Sequence, residues 1–126
     1  MPETINWSVT FDAVLGPRVA GSGTQVLDAY DKLSVELAAG AANVDVDTQP
    51  SATAGEVKLM VVTAGRYDVG VTISADSGTT TALLDGPLVL IGAGAVSLLA
   101  DPPQSLQFDN PHTDPVKVDI LVGRQA

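Results

Sequence analysis

Cysteine is absent from this 126-residue chain, aromatic residues are few, and basic residues are outnumbered more than two to one by acidic ones. Each shortage removes a class of function. Without cysteine there is no disulfide framework, no thiolate metal site and no cysteine nucleophile, so stability must come from packing and assembly. One Trp, two Tyr and two Phe are too few to line the aromatic groove in which a glycosidase holds its two carboxylates. Six Lys and Arg against fifteen Asp and Glu give a formal charge of −9, which repels a phosphate backbone and an anionic membrane surface. The basic residues (Arg18, Lys32, Lys58, Arg66, Lys117, Arg124) are scattered, so no local patch reverses that sign and neither nucleic acid nor membrane is an expected partner. His112 is the single histidine and hence the one side chain able to act as a neutral-pH base in a serine-type relay. It lies in a Pro-flanked turn, and no Gly-x-Ser-x-Gly elbow accompanies it. Both features read as an exposed loop histidine rather than a catalytic one. No catalytic residue, cofactor or metal is assigned, and the chain is read as a non-enzyme.

What is present is a strand pattern. The length suits one hydrophobic core, so residues 1–126 are expected to form a single domain. The apolar share of 45% leans on Ala and β-branched residues, which fit a pleated surface. Met1-Pro2-Glu3-Thr4-Ile5-Asn6-Trp7 lacks the basic start and apolar stretch of a secretory signal, so a cytoplasmic protein, or one built into a particle there, is expected.

Alternation begins at once: Ile5, Trp7, Val9, Phe11, Ala13 and Leu15 share one face, with Asn6, Ser8, Thr10 and Asp12 on the other. Gly16-Pro17 ends this strand, and Gly21-Ser22-Gly23 reads as a flexible connection. Leu33, Val35 and Leu37 alternate with Lys32, Ser34 and Glu36. Val44 and Val46 alternate with Asp45 and Asp47. The apolar stretch from Val57 to Thr63 is followed by Ala64-Gly65-Arg66 and by Tyr67, Val69, Val71 and Ile73 at alternate positions, which predicts an antiparallel hairpin. Leu106 and Phe108 lead into an Asp/Asn/Pro loop, and Val116, Val118, Ile120 and Val122 form the last strand. About nine short strands at this spacing predict an all-β antiparallel sandwich or jelly roll.

The most apolar segment, Leu83 to Ala100, contains Asp85, Gly86, Pro87, Gly92 and Gly94, which argue against a membrane-spanning helix. Its centre, Leu88 to Ser97, resembles the strand-turn-helix fingerprint of dinucleotide-binding domains. Ser97 replaces the third glycine, however, and Asp101-Pro102-Pro103 would stop the helix. The expectation is a hairpin of Leu88–Ile91 and Ala95–Leu99 that is apolar on both faces and so must be covered on both. Leu88, Val89, Leu90, Ile91, Val96, Leu98 and Leu99 are therefore the candidate interface. Asp45 with Asp47, and Asp109, Asn110 and Asp114, could offer oxygen ligands to calcium, but neither group has the spacing of the twelve-residue calcium loop. Solvated faces and Asx turns account for both.

The Ala/Gly/Val/Thr-rich β pattern, with the ending Phe108-Asp109-Asn110-Pro111 to Val116-Lys117-Val118-Asp119-Ile120-Leu121-Val122, resembles small head-decoration or capsid-associated proteins of tailed bacteriophages. A homo-oligomer, a trimer or ring, would bury the second face of the doubly apolar strands and protect sheet edges; the resemblance implies a multimer that decorates or braces a viral capsid through sheet edges and loops, with capsid protein as partner and the virion as location. The alternative is a carbohydrate- or peptide-binding β-sandwich module using Trp7, Tyr30 and Tyr67.

Overall fold

The computed structural model describes residues 3–47, 56–75, 81–96, 98 and 105–125. In chain order these form β1 (Glu3–Asp12), β2 (Arg18–Leu27), β3 (Ala29–Leu37), β4 (Val44–Asp47), β5 (Glu56–Ala64), β6 (Thr72–Ala75), β7 (Thr81–Leu83) and β8 (Leu88–Ile91). The one-turn helix α1 (Ala93–Val96), β9 (Ser105–Asp109) and β10 (Val116–Gln125) complete the order.

The fold is an all-β antiparallel sandwich of the jelly-roll type, extended by an N-terminal hairpin. One sheet has the order β3-β10-β5-β8 and the other β4-β9-β6-β7. The pairs β3–β10, β4–β9, β5–β8 and β6–β7 are successive rungs of one long antiparallel ribbon. Rolling the ribbon up adds the closing pairs β5–β10 and β6–β9, and two four-stranded sheets then face each other.

The two inner faces make one core. Met60, Val62, Val118, Ile120 and Val122 come from the first sheet, and Ile73, Leu106 and Phe108 from the second. Period-two alternation places them there: Val116, Val118, Ile120 and Val122 are all buried on β10, while Lys117 between the first two is exposed. Asn110 and Ser74 are buried polar residues among those described, and Asn110 is fully buried. Its Nδ2 donates to the carbonyls of Leu37, Ala38 and Asp114 at 3.1–3.2 Å. Its Oδ1 accepts the His112 amide at 3.1 Å. A buried amide with all these partners ties the end of β3 to the β9–β10 loop.

Three sequence expectations need correction. The predicted hairpin through Ala64-Gly65-Arg66 does not form, because β5 pairs with β10 and β8 while β6 lies in the opposite sheet. Residues 65–71 form an arch across the sandwich, with Gly70 at φ +82°. Alternation that points Val71 and Ile73 into the core is the same whether a strand returns beside its predecessor or faces it across the core. The predicted strand over Ala95–Leu99 is replaced over 93–96 by α1, because Gly92 at φ +95° turns the chain out of the extended region and the Val96 amide donates to the Gly92 carbonyl at 3.1 Å. Gly21-Ser22-Gly23 is part of β2 rather than a flexible connection. Ser97, Leu99, the turns at 49–51 and 76–78, and Asp101-Pro102-Pro103 lie outside the described residues.

Candidate functional site

The N-terminal hairpin is the feature that the eight-stranded roll does not require. β1 and β2 pair in an unbroken antiparallel register from Glu3↔Leu27 to Asp12↔Arg18, forming a two-stranded arm separate from both sheets. A loop over 13–17 closes it, with the Gly16 amide donating to the Ala13 carbonyl at 3.3 Å and an Asp12–Arg18 ion pair at 3.4 Å. Both ions are about two-thirds exposed, so their attraction is screened and contributes little to stability. At its base the arm is fixed by Leu27, buried against Gly123 of β10 where no side chain stands in the way. The Asp28 amide donates to the Arg124 carbonyl at 2.9 Å beside it.

Alternation gives the arm one apolar face. Ile5, Trp7, Val9 and Phe11 share it, opposite Gln25, Gly23, Gly21 and Val19 of β2. The indole of Trp7 lies on the two glycines: a Cβ at Gly23 would come within 2.9 Å of its ring, and one at Gly21 within 3.7 Å. Gly23 is thus needed for close packing of the ring across the strand pair, whereas a Cβ at Gly21 would make an ordinary contact with it. The Trp7 Nε1 is buried and has no hydrogen-bond partner among the described residues.

The basal half of this apolar face lies over the outer side of the first sheet. Ile5, Trp7 and Val9 there bound a groove of about 410 Å³ with Val61, Val89, Ile91 and Leu121. Leu59 also points away from the core, yet it is only 2% exposed. The distal half has no such cover. Phe11 and Val19 are 67% and 65% exposed, and Val14 and Leu15 in the loop are 97% and 100% exposed. Asp12 ends β1 about 10 Å past Val9 at the usual rise per residue, so an apolar tip overhangs the sheet.

The sequence-expected interface is divided by the fold. Leu88 and Leu90 turn inward and pack on the core, and Val96 on α1 is buried in it. Val89 and Ile91 turn outward from β8, an edge strand of the first sheet, towards the arm groove. Val89 remains 44% exposed and Leu98 85% exposed, and Leu99 lies outside the described residues. The second side of β8 is thus partly covered by β1 of the same chain. Sequence reading missed the tip residues Phe11, Val14, Leu15 and Val19. The available signal was an apolar Val14-Leu15 pair inside a Gly-Pro turn, where polar residues are usual.

The acidic loops are occupied by structural duties. Asp109 accepts the Asn43 amide at 2.6 Å and the Thr72 hydroxyl at 3.4 Å. Asp45 accepts from Gln107 Nε2 at 3.2 Å across the β4–β9 pair. Arg66 makes two 3.2 Å hydrogen bonds to Asp68 and lies 3.7 Å from Asp114. The hydrogen bond from Arg66 holds the Asp68 carboxyl below its usual range, and the same bond raises the guanidinium above its own. His112 Nδ1 accepts the Asp114 amide at 3.0 Å, which commits that nitrogen to the loop. Among the described residues no group of three or more His, Cys, Asp or Glu is placed to hold a metal ion, and no helix is long and apolar enough to cross a membrane. Of the rings a sugar platform would use, Trp7 is laid on Gly21 and Gly23, and Tyr67 accepts the Ala64 amide at 3.1 Å. Tyr30 stays exposed on β3.

No protein-family model matches the chain, and no curated protein matches it. A similar solved structure is titled "Schizosaccharomyces pombe Cnp3 Cupin Domain", with a TM-score of 0.46 and 12% identity over 97% of this chain and 84% of that one. The jelly-roll assignment rests on the chain's own strand order.

Proposed function

We propose that the protein is a non-enzymatic structural module that assembles with copies of itself, as a trimer or ring, and decorates or braces a viral capsid or similar particle. The observation that carries this reading is the overhanging arm, whose apolar face continues past the sheet that covers its base and ends in Phe11, Val14, Leu15 and Val19. Apolar surface concentrated at the end of a protruding element is the usual mark of an association site. The neighbouring chemistry supports a scaffold role: the Asp, Asn and His side chains that could have served catalysis hold loops and strands together. An acidic surface also keeps such a module soluble before assembly.

Native mass spectrometry of the purified chain tests the assembly half, and the expected result is a stable oligomer without added ligand. Antibody labelling of purified particles tests the capsid half. Labelled shells are the expected result, and label confined to unassembled protein would contradict it.

A further inference from the structure

We infer that the tip of the arm docks on the outer face of the first sheet in a second copy of this chain, in the groove beside that copy's own arm. This groove, about 380 Å³, is lined by Lys32, Val61, Thr63, Asp119, Ile120 and Leu121. It adjoins the arm's own footprint and shares Val61 and Leu121 with it. The inference rests on the self-assembly reading above and assigns the surfaces that would carry it.

Continuity is the first argument. Within one chain, the apolar face of the arm already faces this side of this sheet, with Ile5, Trp7 and Val9 lining one groove together with Val61, Val89, Ile91 and Leu121. The same face of the same ribbon continues as Phe11 and Val19, and the same sheet continues beside it as a groove with an apolar floor. None of the tip residues lines that groove in its own chain. Ten consecutive pairs without a bulge hold β1 and β2 as one ribbon, so the groove is left open to the tip of another copy. A tip that meets a different surface of the next copy makes a head-to-tail contact, which closes into a ring when the rotation per copy allows.

Charge is the second argument. Two copies at −9 each repel, so contact is favoured where local charge cancels. The loop over 13–17 has no ionisable side chain, and Asp12 and Arg18 beneath it neutralise one another. The groove has one cation, Lys32, and one anion, Asp119, which also accepts the Ser34 hydroxyl at 2.5 Å. Size is the third. The four tip residues expose more than three whole residues' worth of apolar surface, and in a ring every tip-to-groove contact would bury it together with the groove wall, approaching the lower end of specific interfaces.

The test uses the full chain with Leu15→Asp at the tip and Thr63→Arg in the groove, a position that lines the groove but not the arm's own footprint. Circular dichroism first confirms that each variant folds. Sedimentation then gives the association constant, which should weaken at least about tenfold for each variant, as expected for a charge placed in a desolvated contact. Mixing the two variants should restore association above either alone, because the intact tip of one meets the intact groove of the other. Because the chain has no cysteine, Leu15→Cys with Thr63→Cys should form a disulfide only between copies. An oligomer unaffected by both variants, with no cross-link, overturns this contact while leaving self-assembly standing. A wild-type chain that stays monomeric at every concentration, or whose tip binds only a different shell protein, overturns both.

Discussion

Replacing Gly23 by alanine probes how the arm is seated. A methyl group there would lie 2.9 Å from Cζ2 and 3.1 Å from Cε2 of Trp7, closer than the roughly 3.5–4.0 Å at which carbons pack. The atoms it meets belong to a rigid bicyclic ring, so the indole must lift as a whole or the two strands must part. Overpacking of this kind costs about 1–3 kcal/mol. Alanine for glycine inside a strand recovers about 0.5–1 kcal/mol through the restricted unfolded chain. The net effect is therefore a loss of about 0–2.5 kcal/mol, centred near 1 kcal/mol. In a Trp7→Ala background the obstructing ring is gone, and the same Gly23→Ala change should stabilise by up to about 1 kcal/mol. Urea unfolding followed by far-ultraviolet circular dichroism reads all four members of this cycle, since Trp7 is the chain's one tryptophan and fluorescence would be lost with it. The same effect of Gly23→Ala with and without Trp7 would refute the placement of the ring on this glycine.

Phe108 is fully buried where the two sheets meet, and Phe108→Ala should cost about 3–5 kcal/mol in urea unfolding. Asn110→Ala removes the two N–H donors shared among three carbonyls and the acceptor of the His112 amide, and should cost on the order of 3 kcal/mol. Asn110→Asp should be worse at neutral pH, because a charged acceptor would then face three carbonyl oxygens. Equal stability of the two Asn110 variants would contradict the donor role given to Nδ2. At the exposed Arg66–Asp68 pair the carboxyl is depressed in the folded state. Its contribution is therefore complete above the unfolded pKa near 4 and is lost as pH falls through the lower folded value. A carboxyl nuclear magnetic resonance titration should place the Asp68 midpoint below that of an unfolded peptide, and Arg66→Gln should move it upward.

The strand content was legible because period-two alternation is strong in particular stretches. On β10 the buried Val116, Val118, Ile120 and Val122 read directly as a core face, as did Leu33, Val35 and Leu37 on β3. Pairing was not legible. The alternation of Val69, Val71 and Ile73 fits a neighbour in the same sheet and a partner across the core equally well, so the sequence of the arch over 65–71 is also that of a hairpin. Gly21 and Gly23 resemble a break because glycine is uncommon inside strands. Only the cross-strand register of Trp7 with Gly23 explains their use. Ala93–Val96 has no capping residue and only small side chains before Val96, so nothing local distinguishes its helical turn from a strand. The need to cover the outer side of the first sheet was legible in the doubly apolar β5 and β8. That β1 of the same chain supplies part of the cover is a tertiary fact. The bare arm tip arises from the length by which two ten-residue strands outrun the surface beneath them.

The claim on which the rest depends is that the overhanging arm tip is covered by another copy in solution. Sedimentation equilibrium of the unaltered chain, from nanomolar to high micromolar concentration, measures this most directly. The expected result is a reversible rise to an integral multiple of the chain mass, lost in the Phe11→Asp protein. A single-chain mass across the whole range, with the wild-type and Phe11→Asp proteins superimposable, would contradict it.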